Sequence, residues 1–182
     1  MPYADVNGQR LYYEDTGGTG PVIVFSHGLL LDGTMFAPQV AAMREALAVR
    51  DEGTVPCNND LLAENFIDVG DGFRLIDYEY SGMNDACFEL GNIWSESNLS
   101  LPQLDELVTH YYGRRLRHKI ARARLLGLMS KYGWTLWASI QDGVSQIDFD
   151  FWSWGMEKYV RAVEEFHGPD FPRLLDEVTR TD

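Results

Sequence analysis

The sequence predicts an α+β fold: a mainly helical C-terminal lobe with short β-hairpins, preceded by a small N-terminal β segment. Three observations predict it. From about Asn84 onward the pattern is helical, with breaks at Gly113 and at Gly168-Pro169. Ahead of it, Asn65 to Asp68 and Phe73 to Asp77 read as two short strands around the turn Val69-Gly70-Asp71-Gly72. Near the N-terminus, Arg10-Leu11-Tyr12-Tyr13-Glu14 leads into Thr16-Gly17-Gly18-Thr19-Gly20 and then the apolar run Val22-Ile23-Val24-Phe25. Alternation, a glycine-rich turn and a buried-looking run together suggest two or three strands.

The other elements follow in order. Residues 34–49 suit a helix, because Met35, Phe36, Val40, Met43 and Leu47 recur at roughly helical spacing. Two segments of different character meet near 42–54, which divides the chain into 1–42 and 43–182. The polar turn Asp51-Glu52-Gly53-Thr54 opens the second segment. Helices are expected over 85–97, 101–112, 114–142, 147–167 and 170–179. Ser100 is a candidate N-cap for the second of these, and Gln103 completes a capping box. The chain shows no internal repeat and no low-complexity tract.

At 182 residues and 45% hydrophobic content, the chain can bury a sizeable core. A formal net charge of −13 excludes nucleic acid and anionic membrane as natural partners, since both are bound through basic patches. Cys57 and Cys87 are the two cysteines; they lack metal-ligand spacing and suit a reducing, cytoplasmic setting. The N-terminus does not read as a signal peptide, and no apolar run approaches the length of a membrane span.

The chemistry concentrates in Asn58-Asn59-Asp60-Leu61-Leu62-Ala63-Glu64-Asn65 and in Leu75-Ile76-Asp77-Tyr78-Glu79-Tyr80. Asp60, Asn65 and Asp77 fall on two strand-edge loops. Phosphoryl transfer from a nucleotide needs such a set: one carboxylate to take the proton of the attacking hydroxyl, and an amide oxygen with a second carboxylate to hold magnesium. Turn chemistry is the bland alternative, because Asn and Asp are common in loops. Downstream, Trp134 and Trp137 lie three apart and share a helical face. Aromatic faces attract a quaternary ammonium, which cannot donate hydrogen bonds. Core packing is the competing reading of the same residues. The basic run Arg114, Arg115, Arg117, His118 and Lys119 reads as a solvated helix face.

From about Met43 to its end, the chain resembles the C-terminal lobe of the choline/ethanolamine kinase and aminoglycoside phosphotransferase group, whose loop reads His-Asn-Asp-x-x-x-x-Asn. Asp77-Tyr78-Glu79-Tyr80-Ser81-Gly82, then Phe88-Glu89-Leu90-Gly91-Asn92 and Glu96, resemble the metal loop and following helix. Gly133-Trp134-Thr135-Leu136-Trp137 resembles a paired-tryptophan stretch, and Ile147-Asp148-Phe149-Asp150-Phe151 with Trp154 and Tyr159 the aromatic helix after it. The resemblance implies a kinase-like lobe that uses ATP and Mg2+. It casts Asp60 as the catalytic base, and Asn65, Asp77 and Glu79 as metal ligands. Tyr80, Glu96, Trp134, Trp137 and Trp154 become the acceptor site. Trp152 does not share a helical face with Trp154, and the resemblance selects Trp154. The implied acceptor is choline or a related amino alcohol; aminoglycoside, homoserine and thiamine-type acceptors stay open. Asn58 stands where the group has its histidine; it can donate and accept hydrogen bonds but cannot fill the same volume, which leaves the order of the loop open.

Residues 3–42 resemble instead the opening of an α/β-hydrolase, on Val6-Asn7-Gly8-Gln9-Arg10-Leu11-Tyr12-Tyr13 and Val22-Ile23-Val24-Phe25-Ser26-His27-Gly28. A G-x-S-x-G elbow is absent, so the hydrolase chemistry does not follow. The chain therefore reads as chimeric, two unrelated segments joined. Its N-terminal strands would pack on the helical lobe or pair in a homodimer. Lys119 is the first lysine, so no lysine upstream of Asp60 pairs with nucleotide phosphates. A second reading stays open on that ground: a non-catalytic, pseudokinase-like module that binds a ligand or partner.

Overall fold

The computed structural model describes residues 3–6, 9–13, 37–50 and 52–181. Strands β1 (Tyr3–Val6) and β2 (Gln9–Tyr12) form an antiparallel hairpin with Val6 opposite Gln9. The glycine-rich turn at 16–20, the run at 22–25 and His27 lie outside the described residues.

Helix α1 (Ala37–Ala48) spans the boundary expected at 42/43, and its Met43 and Ala46 are buried in the helical core. Strand β3 (Val55–Cys57) follows, then a 3₁₀ turn at Ala63–Asn65 and the hairpin of β4 (Phe66–Asp68) and β5 (Phe73–Leu75). Strand β6 (Gly82–Asn84) returns to pair antiparallel with β3, Cys57 opposite Gly82. This second pairing carries no hairpin signal in the sequence. Its strands are three residues long, lie 25 residues apart and include Pro56.

Five helices complete the lobe: α2 (Ala86–Glu96), α3 (Leu101–Tyr112), α4 (Arg117–Val144), α5 (Phe151–Phe166) and α6 (Asp170–Glu177). The termini follow capping chemistry. The Asp85 carboxylate accepts from the Cys87 N–H at 2.7 Å and starts α2. Ser100 and Gln103 form the expected capping box. Gly113 ends α3 at φ 70°, a left-handed conformation that glycine adopts without steric penalty.

Two starts differ from expectation. Helix α4 begins at Arg117 rather than 114, because residues 114–116 unwind after Gly113. Helix α5 begins at Phe151 rather than 147, because Asp150 caps it through the Ser153 N–H at 2.8 Å. The basic run is not a uniform solvated face. His118 is buried, and Lys119 is ion-paired with Glu52.

Helix α4 is the centre of the lobe. One face packs with α2 and α3 through Leu90, Trp94, Leu104, Val108, Ala123, Leu126 and Leu128. Another packs with α1 and α6 through Met43, Ala121, Leu125, Met129, Leu174 and Val178. The crossing of α2 on α4 is close enough to require glycine on both sides. A Cβ on Gly91 would lie 2.2 Å from the Ala123 carbonyl oxygen, and one on Gly127 would lie 2.6 Å from the Gly91 oxygen. Helix α5 approaches α4 similarly, since a Cβ on Gly155 would fall 2.6 Å from that of Ala138. That approach brings Trp137 beside Trp154.

Candidate active site

The first half of the site is the loop between β3 and the 3₁₀ turn. Helix α2 anchors it: the Glu89 carboxylate accepts from the Asn58 N–H at 2.7 Å and the Asn59 N–H at 2.9 Å. Asn58 is buried and orders the loop. Its Nδ2 donates to the Asp77 carbonyl at 2.7 Å, and its Oδ1 accepts from the Asp60 N–H at 3.0 Å. The shorter amide replaces volume with two directional bonds, one of which joins the two halves of the motif. Asn59 sits at φ 68°, which asparagine tolerates. Its carbonyl accepts from Asn92, its Oδ1 accepts from Asn84, and its Nδ2 donates to the Tyr80 carbonyl.

This scaffold presents Asp60. The residue is 8% exposed, and its Oδ1 has no hydrogen-bond partner among the described residues. Burial is the main cause that pushes its carboxyl up to about 6; the negative charges of Glu96, Asp77 and Glu79 add to the effect, and Lys158 opposes it. Five residues on, the Asn65 Nδ2 donates to the Asp60 carbonyl at 3.0 Å, so its amide oxygen is the end left for a cation. Asp77 lies across the loop at φ 60°, in a strained backbone fixed by the Asn58 bond. Asp77 and Glu79 are exposed. Among the described residues, no group of three or more His, Cys, Asp or Glu is disposed to hold a metal ion. A metal at this loop therefore needs the Asn65 amide oxygen, or donors from outside the protein. The available donors are all oxygen, which suits a hard divalent cation, and the excess negative charge that raises Asp60 is what a cation would relieve.

The second half is aromatic. Tyr80 stands edge-on to Trp134, with centroids 5.7 Å apart; Trp134 and Trp137 are also 5.7 Å apart, and Trp137 and Trp154 are 6.0 Å apart. Burial pushes the Tyr80 hydroxyl up, with Trp137 opposing and Glu79 adding. All three tryptophans are half-buried, whereas Trp152 is 56% exposed. Phe151 and Phe149 extend the set, with Phe151 5.7 Å from Trp137 and Phe149 6.5 Å from Trp154.

Glu96, at the end of α2, has a side chain only 1% exposed, and Lys158 of α5 pairs with it at 2.6 Å. The Lys158 ammonium also lies 4.2 Å from the centroid of the Trp154 ring. The structure thus gathers Asp60, Asn65 and Asp77 on one loop system, and Tyr80, Trp134, Trp137 and Trp154 in one aromatic group. Glu79 and Glu96 bear electrostatically on Asp60, and Glu79 also on Tyr80. Sequence reasoning missed the anchoring role of Glu89 and the presence of Lys158. Lys158 is four residues after Trp154, a spacing that puts both on one helical face.

A model of the family described as choline/ethanolamine kinase matches residues 25–115, half of the chain. The chain belongs to the choline/ethanolamine kinase family. Ethanolamine kinase 2 of Homo sapiens is 31% identical over 135 residues, covering 62% of this chain and 35% of that protein. Protein LicA of Haemophilus influenzae is 31% identical over 96 residues. The chain spans about a third of the length of these curated relatives. Among solved structures, a choline/ethanolamine kinase family protein from Mesorhizobium loti superposes with a TM-score of 0.73 at 30% identity, covering 84% of this chain and 53% of that one. Choline kinase LicA from Streptococcus pneumoniae gives 0.58 at 26% identity, covering 76% and 49%. The kinase family match begins at residue 25, inside the segment expected to resemble a hydrolase, and these relatives lend that resemblance no support.

Proposed function

We propose that this chain carries the acceptor and metal half of an ATP-dependent phosphotransferase acting on the hydroxyl of a small amino alcohol such as ethanolamine or choline. The observation that carries the proposal is Asp60. It is a buried carboxylate with an unpartnered oxygen and a pKa near 6, on a loop next to an aromatic group with its own carboxylate. Family membership supports the same reading.

Asp60 accepts the proton of the acceptor hydroxyl as that oxygen attacks the γ-phosphorus and the bond to the β,γ-bridging oxygen breaks, releasing ADP. Its raised pKa places it close to the working pH, where a base is both ionised and able to hold the proton. Asn65, Asp77 and Glu79 are the oxygen donors that would hold magnesium, whose chemistry when bound is to neutralise phosphate charge. Tyr80, Trp134, Trp137 and Trp154 hold the ammonium head through their ring faces, and Glu96 supplies the anion. Residues 43–182 form the acceptor lobe, and helix α1 (Ala37–Ala48) runs across its start into the helical core.

Cys57 and Cys87 are free and buried, and burial pushes their thiols up to about 11 and about 12. Neither is a ready nucleophile, and unpaired cysteines fit a cytoplasmic setting. Among the described residues, no helix is long and apolar enough to cross a membrane.

The test is ATP consumption in the presence of magnesium with ethanolamine or choline. Acceptor-dependent turnover that disappears in Asp60→Asn establishes the enzyme. The second reading is a module that binds an ammonium ligand without turnover. Binding with no ATP consumption would select it.

A further inference from the structure

The ammonium that the aromatic group would receive already has a counterpart within the chain. Each of the three lysines pairs with a carboxylate and lies over an aromatic ring, and Lys158 is the one that does so on Glu96 and Trp154, residues of the acceptor site itself. Its Nζ is 2.6 Å from a Glu96 carboxylate oxygen and 4.2 Å from the centroid of Trp154. The side chains are 14% and 1% exposed, so the pair is shielded from water and screened little. Ser95 Oγ donates to the other Glu96 oxygen at 3.3 Å, which holds the carboxylate in place. The stem of Lys158 rises from α5, the helix that also supplies Trp154, so the cation is tethered at high effective concentration.

We propose that Lys158 is a specificity-determining residue of the acceptor pocket, a tethered cation that competes with the acceptor's ammonium for Glu96 and the face of Trp154. This rests on the pocket proposed above. An incoming amino alcohol must expel Lys158 into solvent to make the same two contacts. A primary ammonium can replace both the hydrogen bond and the ring contact; a quaternary ammonium replaces the charge and the ring contact alone. Acceptor affinity is therefore set by the difference between two cations, not by the cage by itself.

Calorimetric titration of choline and ethanolamine into the intact chain and its Lys158→Gln variant tests the competition. Removing the tethered cation should tighten choline binding by about tenfold or more, the scale of one shielded charge contact. That gain should vanish in the Glu96→Gln/Lys158→Gln variant. Equal affinities in the variant and in a wild type that binds measurably would overturn the competition and leave the pocket standing. No binding by either folded protein would overturn both. Labelling of the wild type with acetic anhydride, read by mass spectrometry, is independent of how the variants fold. Saturating choline should speed acylation of Lys158 several-fold and leave Lys119 and Lys131, the chain's other lysines, unchanged. Unchanged or slower labelling of Lys158 would overturn the proposal.

Discussion

Asp60 shows how a single buried carboxyl ties function to stability. Its pKa in the fold, about 6, lies above the ordinary value of 3.8, so the fold prefers the neutral acid. Stability is lost as pH rises from about 4 through about 6 and stays lower above that. Asp60→Asn should therefore abolish turnover yet stabilise the chain at pH 8 by on the order of 1–2 kcal/mol once solvent screening is allowed for. The two proteins should be equally stable below pH 4, and urea titrations at the two pH values check this. Turnover of the wild type should fall as pH drops through about 6, because protonation removes the base. Asn58 shows the opposite economy. Its side chain makes one bond to the Asp77 carbonyl and one to the Asp60 N–H. Asn58→Ala should lower stability by about 1–3 kcal/mol, since the buried Asp60 N–H and the partly buried Asp77 carbonyl both lose their partner. Chemical denaturation measures it.

Among the elements, the α2–α4 crossing decides where the site sits. Helix α2 carries Glu89, which holds the Asp60 loop, and Glu96, which pairs with Lys158; α4 carries Trp134 and Trp137. Gly91→Ala puts a methyl group against the Ala123 carbonyl and should cost about 3 kcal/mol or prevent folding, as overpacking at a backbone contact does. Thermal unfolding followed by circular dichroism reads the loss. Asp85 caps α2 and pairs with Arg122 at 2.6 Å in a buried contact. Arg122 also donates to the Leu47 carbonyl, which ties α1 to the lobe.

The helices were legible because their signals are local: the capping box at Ser100 and Gln103, the glycine at 113 and the 3.6-residue apolar rhythm. The pairing of β3 with β6 was not legible, because two three-residue strands far apart in sequence leave no local trace. The same contrast holds in the site. Asp60, Asn65 and Asp77 stood out by residue type and spacing, and the Trp134–Trp137 face by period. Glu89 and Lys158 did not, because a lone Glu or Lys on a helix reads as a solvated charge until its long-range partner is known. For Asn58, the volume and the capacity to donate and accept could be read from the sequence, but the partners of its two side-chain hydrogen bonds could not.

Over the whole molecule, the proposed acceptor site unites the loop bearing Asp60 with the aromatic group around Trp137. The exposed Trp152 provides an internal control, since it lies on the same helix as Trp154 but outside the group. Calorimetric titration of ethanolamine and choline into the folded wild type, Trp137→Ala and Trp152→Ala tests that site most directly. Saturable binding is expected in the wild type and in Trp152→Ala, with a loss of about tenfold or more in Trp137→Ala, the scale of one desolvated cation–aromatic contact. No binding by the folded wild type, or equal binding by all three proteins, would contradict it.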